Sequence, residues 1–261
     1  MKTRVLSGLV MVPLILIIYF GGYVLLTAGF ILSFIAVREF YNGFTNVGIK
    51  PSYNIAYIAL IALFAIHMFM PGNMNIISLW LVLVVMAGLI YGMDVVNRGI
   101  SDGMATVIGI IYVIFFLSHI IFIDNLGEYS ILIWLVIITS FSTDIFAYFS
   151  GYLFGKHKLA PNLSPKKTIE GAIGGALGSI IFSGLFGYLV VPRLLIHCII
   201  IGLIGGICSQ FGDLTASALK RKMDVKDYGN LIPGHGGIMD RFDSVIFMSP
   251  IIYYYIIFII I

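Results

Sequence analysis

Nine runs of mainly apolar residues, each near the length needed to cross a bilayer, leave this chain no aqueous fold to adopt. They lie at roughly 5–20, 23–38, 53–70, 75–93, 104–123, 130–149, 172–191, 194–217 and 243–261. A transmembrane helix needs about 20 such residues, and no polar stretch between the runs is long enough to build its own core. The chain is 60% hydrophobic and only 10% charged, with a mean hydropathy of +1.07; a soluble domain carries about 25% charged residues. The expected fold is all-α, a polytopic integral membrane protein of about nine transmembrane helices. Some breaks are bare hairpins, such as Gly21–Gly22 and Pro71–Gly72–Asn73. The basic, then apolar N-terminus has the outline of a signal peptide. It lacks a convincing small-residue cleavage site and runs straight into a second apolar stretch, so it is read as a retained first helix. Cys198 and Cys208 lie in apolar runs without metal-ligand spacing and are read as small core hydrophobes.

Basic residues in short loops mark the cytoplasmic side. With nine spans, one face receives the N-terminus and the loops after spans two, four, six and eight. That face holds fourteen of the fifteen Lys and Arg residues, and the other holds only Arg193. The N-terminus is expected inside and the C-terminus outside. This topology would bring Asp144, about a turn and a half from the end of span six, to the depth of Asp213 on span eight. Asp240 and Asp243 would open span nine from the same side. Spans seven and eight carry small-xxx-small spacings (Gly171 and Gly175, Gly174 and Gly178, Gly202 and Gly206) that allow close helix approach.

Nine of the chain's fifteen basic and twelve acidic residues fall within 217–243, SALKRKMDVKDYGNLIPGHGGIMDRFD. Charge beside apolar spans is costly and reads first as function. A second polar stretch, 143–171, contains KLAPNLSPKKTIEG at 158–171. Carboxylates amid many cations suit phosphate chemistry, because Mg²⁺ bridges carboxylates to phosphate oxygens and Lys and Arg stabilise charge on transferring phosphoryl groups. Structural alternatives stand beside each residue. Asp144 could be neutralised by a neighbouring Lys, and Asp213 by Lys220. Lys156, Lys158, Lys166 and Lys167 could be topological anchors, and His235 a turn residue. His67, His119 and His197 are read as core histidines. The glycines of PGHGG do not have P-loop spacing.

The run S-A-L-K-R-x4-K-D-Y-G-x2-I-P-G-H-G-G-I-x-D-R-F-D over 217–243 resembles the signature of the phosphatidate cytidylyltransferases, or CDP-diacylglycerol synthases. The run at 158–171 resembles that family's second block, with Ile169 where many members have an aromatic residue. The first five spans carry no comparable motif. The resemblance divides the chain into an N-terminal scaffold, 1–129, and a C-terminal catalytic region, 130–261. It implies transfer of CMP from CTP to phosphatidate, yielding CDP-diacylglycerol and pyrophosphate, with Mg²⁺, alone or with a second metal ion. It implies Asp213 and Asp240 as metal ligands with Asp144 close by, and Lys167 beside them in catalysis. Substrate binding would fall to Ser164, Lys166, Lys220, Arg221, Lys226, Asp227, His235, Gly236, Gly237, Arg241 and Asp243. It further implies a homodimer in the inner (plasma) membrane, an active site at the cytoplasmic face, and no nucleic-acid partner.

Two rival functions are weighed. An ion-coupled transporter would place its carboxylates near the midplane on broken helices, whereas these acids cluster at one face. Another CTP-dependent lipid transferase would not be expected to carry the ungapped signature. Phosphatidate brings its own anionic oxygen, so a single displacement without a covalent nucleotidyl-enzyme is expected.

Overall fold

The computed structural model describes residues 13–94, 96–231 and 236–261. The elements in chain order are α1 (Gly22–Asn46), α2 (Tyr53–Phe69), α3 (Met74–Tyr91), α4 (Ile100–Asp124) and α5 (Ile133–Phe154). A hairpin, β1 (Lys158–Ala160) and β2 (Ser164–Thr168), follows, then α6 (Ile169–Val190), α7 (Leu195–Lys222) and α8 (Met239–Tyr255). Among the described residues, seven helices are long and apolar enough to cross a membrane, and α2 is a shorter apolar helix. Eight of the nine expected spans thus appear as helices. The first falls largely outside the described residues, of which 13–20 are helical. The protein is an all-α polytopic membrane protein.

Helix ends follow local chemistry. Gly21 and Gly22 both have positive φ, and the Gly22 amide donates to the Asp124 carboxylate at 2.7 Å. Asn73 and Ser52 accept from the amides three residues on, as helix-capping side chains do. Three expected boundaries move. Gly151 alone does not end the helix, so α5 continues to Phe154 and ends before Gly155, whose backbone is extended. Asp144 consequently lies nearly three turns from that end instead of one and a half. Helix α7 runs on through Ala-Leu-Lys-Arg-Lys to Lys222, since these are good helix formers and cations favour a helix C-terminus. It stops where Asp224 takes a positive φ of 54°. Helix α8 starts at Met239, so Asp243 sits in its second turn and is buried.

Backbone contacts divide the chain into two compact units. One comprises Met1–Gly127 with Lys220–Phe242, and the other Glu128–Leu219 with Asp243–Ile261. The signature segment therefore packs with the first five spans, a line different from the division at 129 by motif content. In the first unit, Phe40 and Tyr41 are fully buried, and the Tyr41 hydroxyl donates to the Thr106 carbonyl at 2.6 Å. In the second unit the expected glycine faces are used. A Cβ on Gly175 would meet the Thr143 carbonyl at 2.9 Å, and one on Gly206 would meet Ala176 Cα at 2.9 Å. Side chains there would force α6 away from α5, and α7 away from α6.

Candidate active site

The second block, 158–171, folds as an antiparallel hairpin pairing Lys158 with Thr168 and Ala160 with Ser164. Alternation along β2 separates the two lysines: Lys166 is exposed and Lys167 half-buried. Thr168 then caps α6 by accepting from the Gly171 amide at 3.1 Å. Glu170 ties down the start of the hairpin. Its carboxylate accepts from the Lys156 and His157 amides and lies 2.6 Å from His157 Nδ1.

Lys167 Nζ donates to Asp213 Oδ2 on α7, and Ser217, one turn later, lies with its Oγ 3.4 Å from Asp213 Oδ1. The side chains of Lys167 and Asp213 are 27% and 31% exposed, so water and small ions reach the pair. The expected alternative partner for Asp213, Lys220, is engaged elsewhere.

Lys220 Nζ donates to Asp240 Oδ1 at 2.8 Å, with the two side chains only 14% and 4% exposed. Asp240 Oδ2 accepts from the Tyr228 amide at 2.8 Å and the Gly237 amide at 3.0 Å. Both oxygens of this carboxylate are thus occupied by protein donors. Lys220 also lies 5.5 Å from the Tyr228 ring centroid, within reach of a cation–π contact.

The remaining expected residues are less concentrated. Arg221, Lys226, Asp227 and Arg241 are exposed, and Ser164 is half-buried at the hairpin turn. Asp144 lies on an exposed side of α5. Asp243 accepts from the Ser244 amide at 2.7 Å. Gly236 has φ +81°, and Gly237 is buried. His235 lies outside the described residues. Sequence reading missed three participants: Glu39, Glu170 and Tyr228. For Glu39 the signal was an acid against the end of an apolar run, set just outside a span drawn to end at Arg38.

Among the described residues, no three His, Cys, Asp or Glu side chains cluster to hold a metal. Mg²⁺ does not need such a cage, since it is commonly held by one or two carboxylates with substrate phosphates completing its shell. Asp213 with Ser217 fits that requirement: hard oxygen donors on one helix face, a third exposed. Asp240 fits it only if Lys220 or an amide gives way.

Residues 2–259, nearly the whole chain, match the model of the cytidylyltransferase family. This chain belongs to that family. It is 32% identical to a phosphatidate cytidylyltransferase of Thermotoga maritima over 262 residues, 97% of this chain and 95% of the relative. A phosphatidate cytidylyltransferase of Staphylococcus aureus is also 32% identical, over 97% of both chains. The Bacillus subtilis phosphatidate cytidylyltransferase is 42% identical over 146 residues, a match spanning 55% of this chain and 54% of the relative. The cytidylyltransferase signature is thus borne by a chain that matches two of these relatives almost end to end.

Proposed function

We propose that this cytidylyltransferase makes CDP-diacylglycerol from CTP and phosphatidate, releasing pyrophosphate, at the cytoplasmic face of the plasma membrane. The observation that carries the proposal is the half-exposed Lys167–Asp213 pair, which joins the second signature block to α7. A phosphate oxygen of phosphatidate attacks the α-phosphorus of CTP. The bond from that phosphorus to the bridging oxygen breaks, and pyrophosphate leaves with the electron pair. Phosphatidate is already largely ionised near neutral pH, because the second ionisation of a phosphate monoester lies near pH 6. No enzyme base is needed to activate it. The barrier is repulsion between two anions, which cations lower.

Lys167 suits that task because an ammonium held at a half-exposed pair can exchange Asp213 for a triphosphate oxygen at small cost. Lys166, exposed on the same strand, is open to solvent and to an approaching nucleotide. Lys220 is committed to Asp240 in a buried pair and holds the signature loop together. Asp213 would be a carboxylate ligand of bound Mg²⁺, which would neutralise phosphate charge at the site. A covalent enzyme intermediate has no advantage here, since the substrate supplies the anionic oxygen. The family resemblance further supports a homodimer, which cross-linking in native membranes would test.

Pyrophosphate release by purified protein given CTP, phosphatidate and Mg²⁺ tests the reaction; a preparation inactive with phosphatidate but active on another lipid acceptor would redirect it. Labelling a Lys166→Cys variant from each side of the membrane tests the orientation, which the fourteen-to-one charge split supports. Reaction only from outside would overturn the placement of the site. Incubation with α-labelled CTP in the absence of lipid should leave the protein unlabelled; label that phosphatidate then chases into product would refute single displacement.

A further inference from the structure

Glu39 is an acid in the second half of α1, 8% exposed, beside the fully buried Phe40 and Tyr41. Its Oε2 accepts from the Met239 amide at 2.9 Å. This is a free amide at the start of α8, where an anion is favoured. The carboxylate also explains two glycines. A Cβ on Gly237 would lie 2.3 Å from Glu39 Oε2, and one on Gly229 would lie 2.5 Å from Oε1. At either position a side chain would require the Glu39 carboxylate to move, so the acid occupies the space those glycines leave empty.

Gly237 is therefore gripped from two directions. Its amide donates to Asp240, while its Cα faces Glu39. Tyr228, next to Gly229, also donates its amide to Asp240. One carboxylate from α1 lies against both Gly229 and Gly237, and the Gly237 amide in turn reaches the Asp240–Lys220 pair. A helix of the supposed scaffold thus reaches the signature directly.

We propose that Glu39 is a positioning residue for cytidylyl transfer: it sets the two ends of the signature loop and, through them, the orientation of Asp240. Gly229 and Gly237 are its steric counterparts. This inference rests on the proposed reaction, and wild-type activity in the same preparation tests that reaction separately.

The test uses the full-length protein in detergent or nanodiscs, with pyrophosphate release from CTP and phosphatidate as readout and thermal unfolding as folding control. Glu39→Gln keeps the volume but removes the charge that the Met239 amide faces and puts an NH₂ group on the carboxylate's position. The variant should unfold near the wild-type temperature, with kcat lower by roughly 30-fold and KM for CTP changed less than about threefold. A purely structural acid would shift the unfolding temperature and leave kcat per folded molecule alone. Gly237→Ala in the native Glu39 background should lose roughly tenfold or more in kcat/KM, while Glu39→Asp, which withdraws the carboxylate by one methylene, should recover about fivefold of that loss in the double variant. The suppression arm stands even if Glu39→Gln fails to fold. Wild-type kcat and KM in folded Glu39→Gln, or losses that simply multiply in Gly237→Ala/Glu39→Asp, would overturn the proposal.

Discussion

Among the described residues, the Lys167–Asp213 and Lys220–Asp240 pairs lie in the signature regions, and they differ in the property that decides their use. Lys220–Asp240 is nearly sealed, with 14% and 4% of the side chains exposed, whereas Lys167–Asp213 keeps 27% and 31% in contact with solvent. Removing one partner from a buried pair strands a charge and costs about 3–5 kcal/mol, while an exposed pair is worth about 0–1 kcal/mol. Chemistry that must exchange partners on each turnover is best placed where exchange is cheap. The comparison fits the buried Lys220–Asp240 pair to stability and, under the proposed reaction, the Lys167–Asp213 pair to catalysis.

The strongest way to break this comparison is Lys220→Met, which leaves Asp240 charged and buried, with the Tyr228 and Gly237 amides as its partners among the described residues. Chemical denaturation in detergent should show a loss of about 3–5 kcal/mol. The double variant Lys220→Met/Asp240→Leu should recover much of that stability while remaining inactive. A single variant as stable as wild type would erase the distinction between the pairs.

Asp213→Asn should leave the unfolding midpoint almost unmoved yet cut turnover about 100-fold, equivalent to about 2.7 kcal/mol of transition-state stabilisation. Steady-state kinetics at limiting Mg²⁺ measures it. Near-normal turnover there would remove Asp213 from the site. Lys167→Gln is expected to lower kcat/KM about tenfold, or about 1.4 kcal/mol. Its folding free energy should change by less than about 1 kcal/mol. Activity unchanged per folded molecule would make Lys167 a topological anchor.

The smallest effect sharpens the geometry of the hairpin. Thr168→Ala removes the cap on the Gly171 amide and should cost about 1 kcal/mol of stability. Since Lys167 precedes Thr168, its activity should fall modestly in parallel. A stability loss with wild-type kcat would show that Lys167 holds its position without the cap.

Long-range order in the sequence was legible wherever composition alone imposes it. Runs such as 75–93 and 104–123 have no polar alternative, so each became a helix within a few residues of its expected ends. The exceptions have local causes. Helix α7 extended to Lys222 because Ala, Leu, Lys and Arg continue a helix that an apolar run merely begins. The hairpin at 158–168 is too short for strand alternation to declare itself, and its two lysines looked equivalent until the strand turned one outward.

Partner choice belonged to the tertiary structure. In the sequence, Asp213 and Lys220 are near neighbours, but seven residues along one helix separate them by about 10 Å, and packing gave Asp213 to Lys167 and Lys220 to Asp240. Glu39 is the clearest case. Two hundred residues separate it from the amide it accepts, and no local pattern can say which glycine will leave room for a carboxylate. The sequence by itself determined that this is a membrane protein, which segments are apolar enough to cross a bilayer and which two stretches carry the charge, because desolvation of apolar surface and of ions depends on residue type. Only the folded structure decided which charges are buried, which can exchange, and which helix supports the signature loop, because those depend on distances between segments that the chain order does not contain.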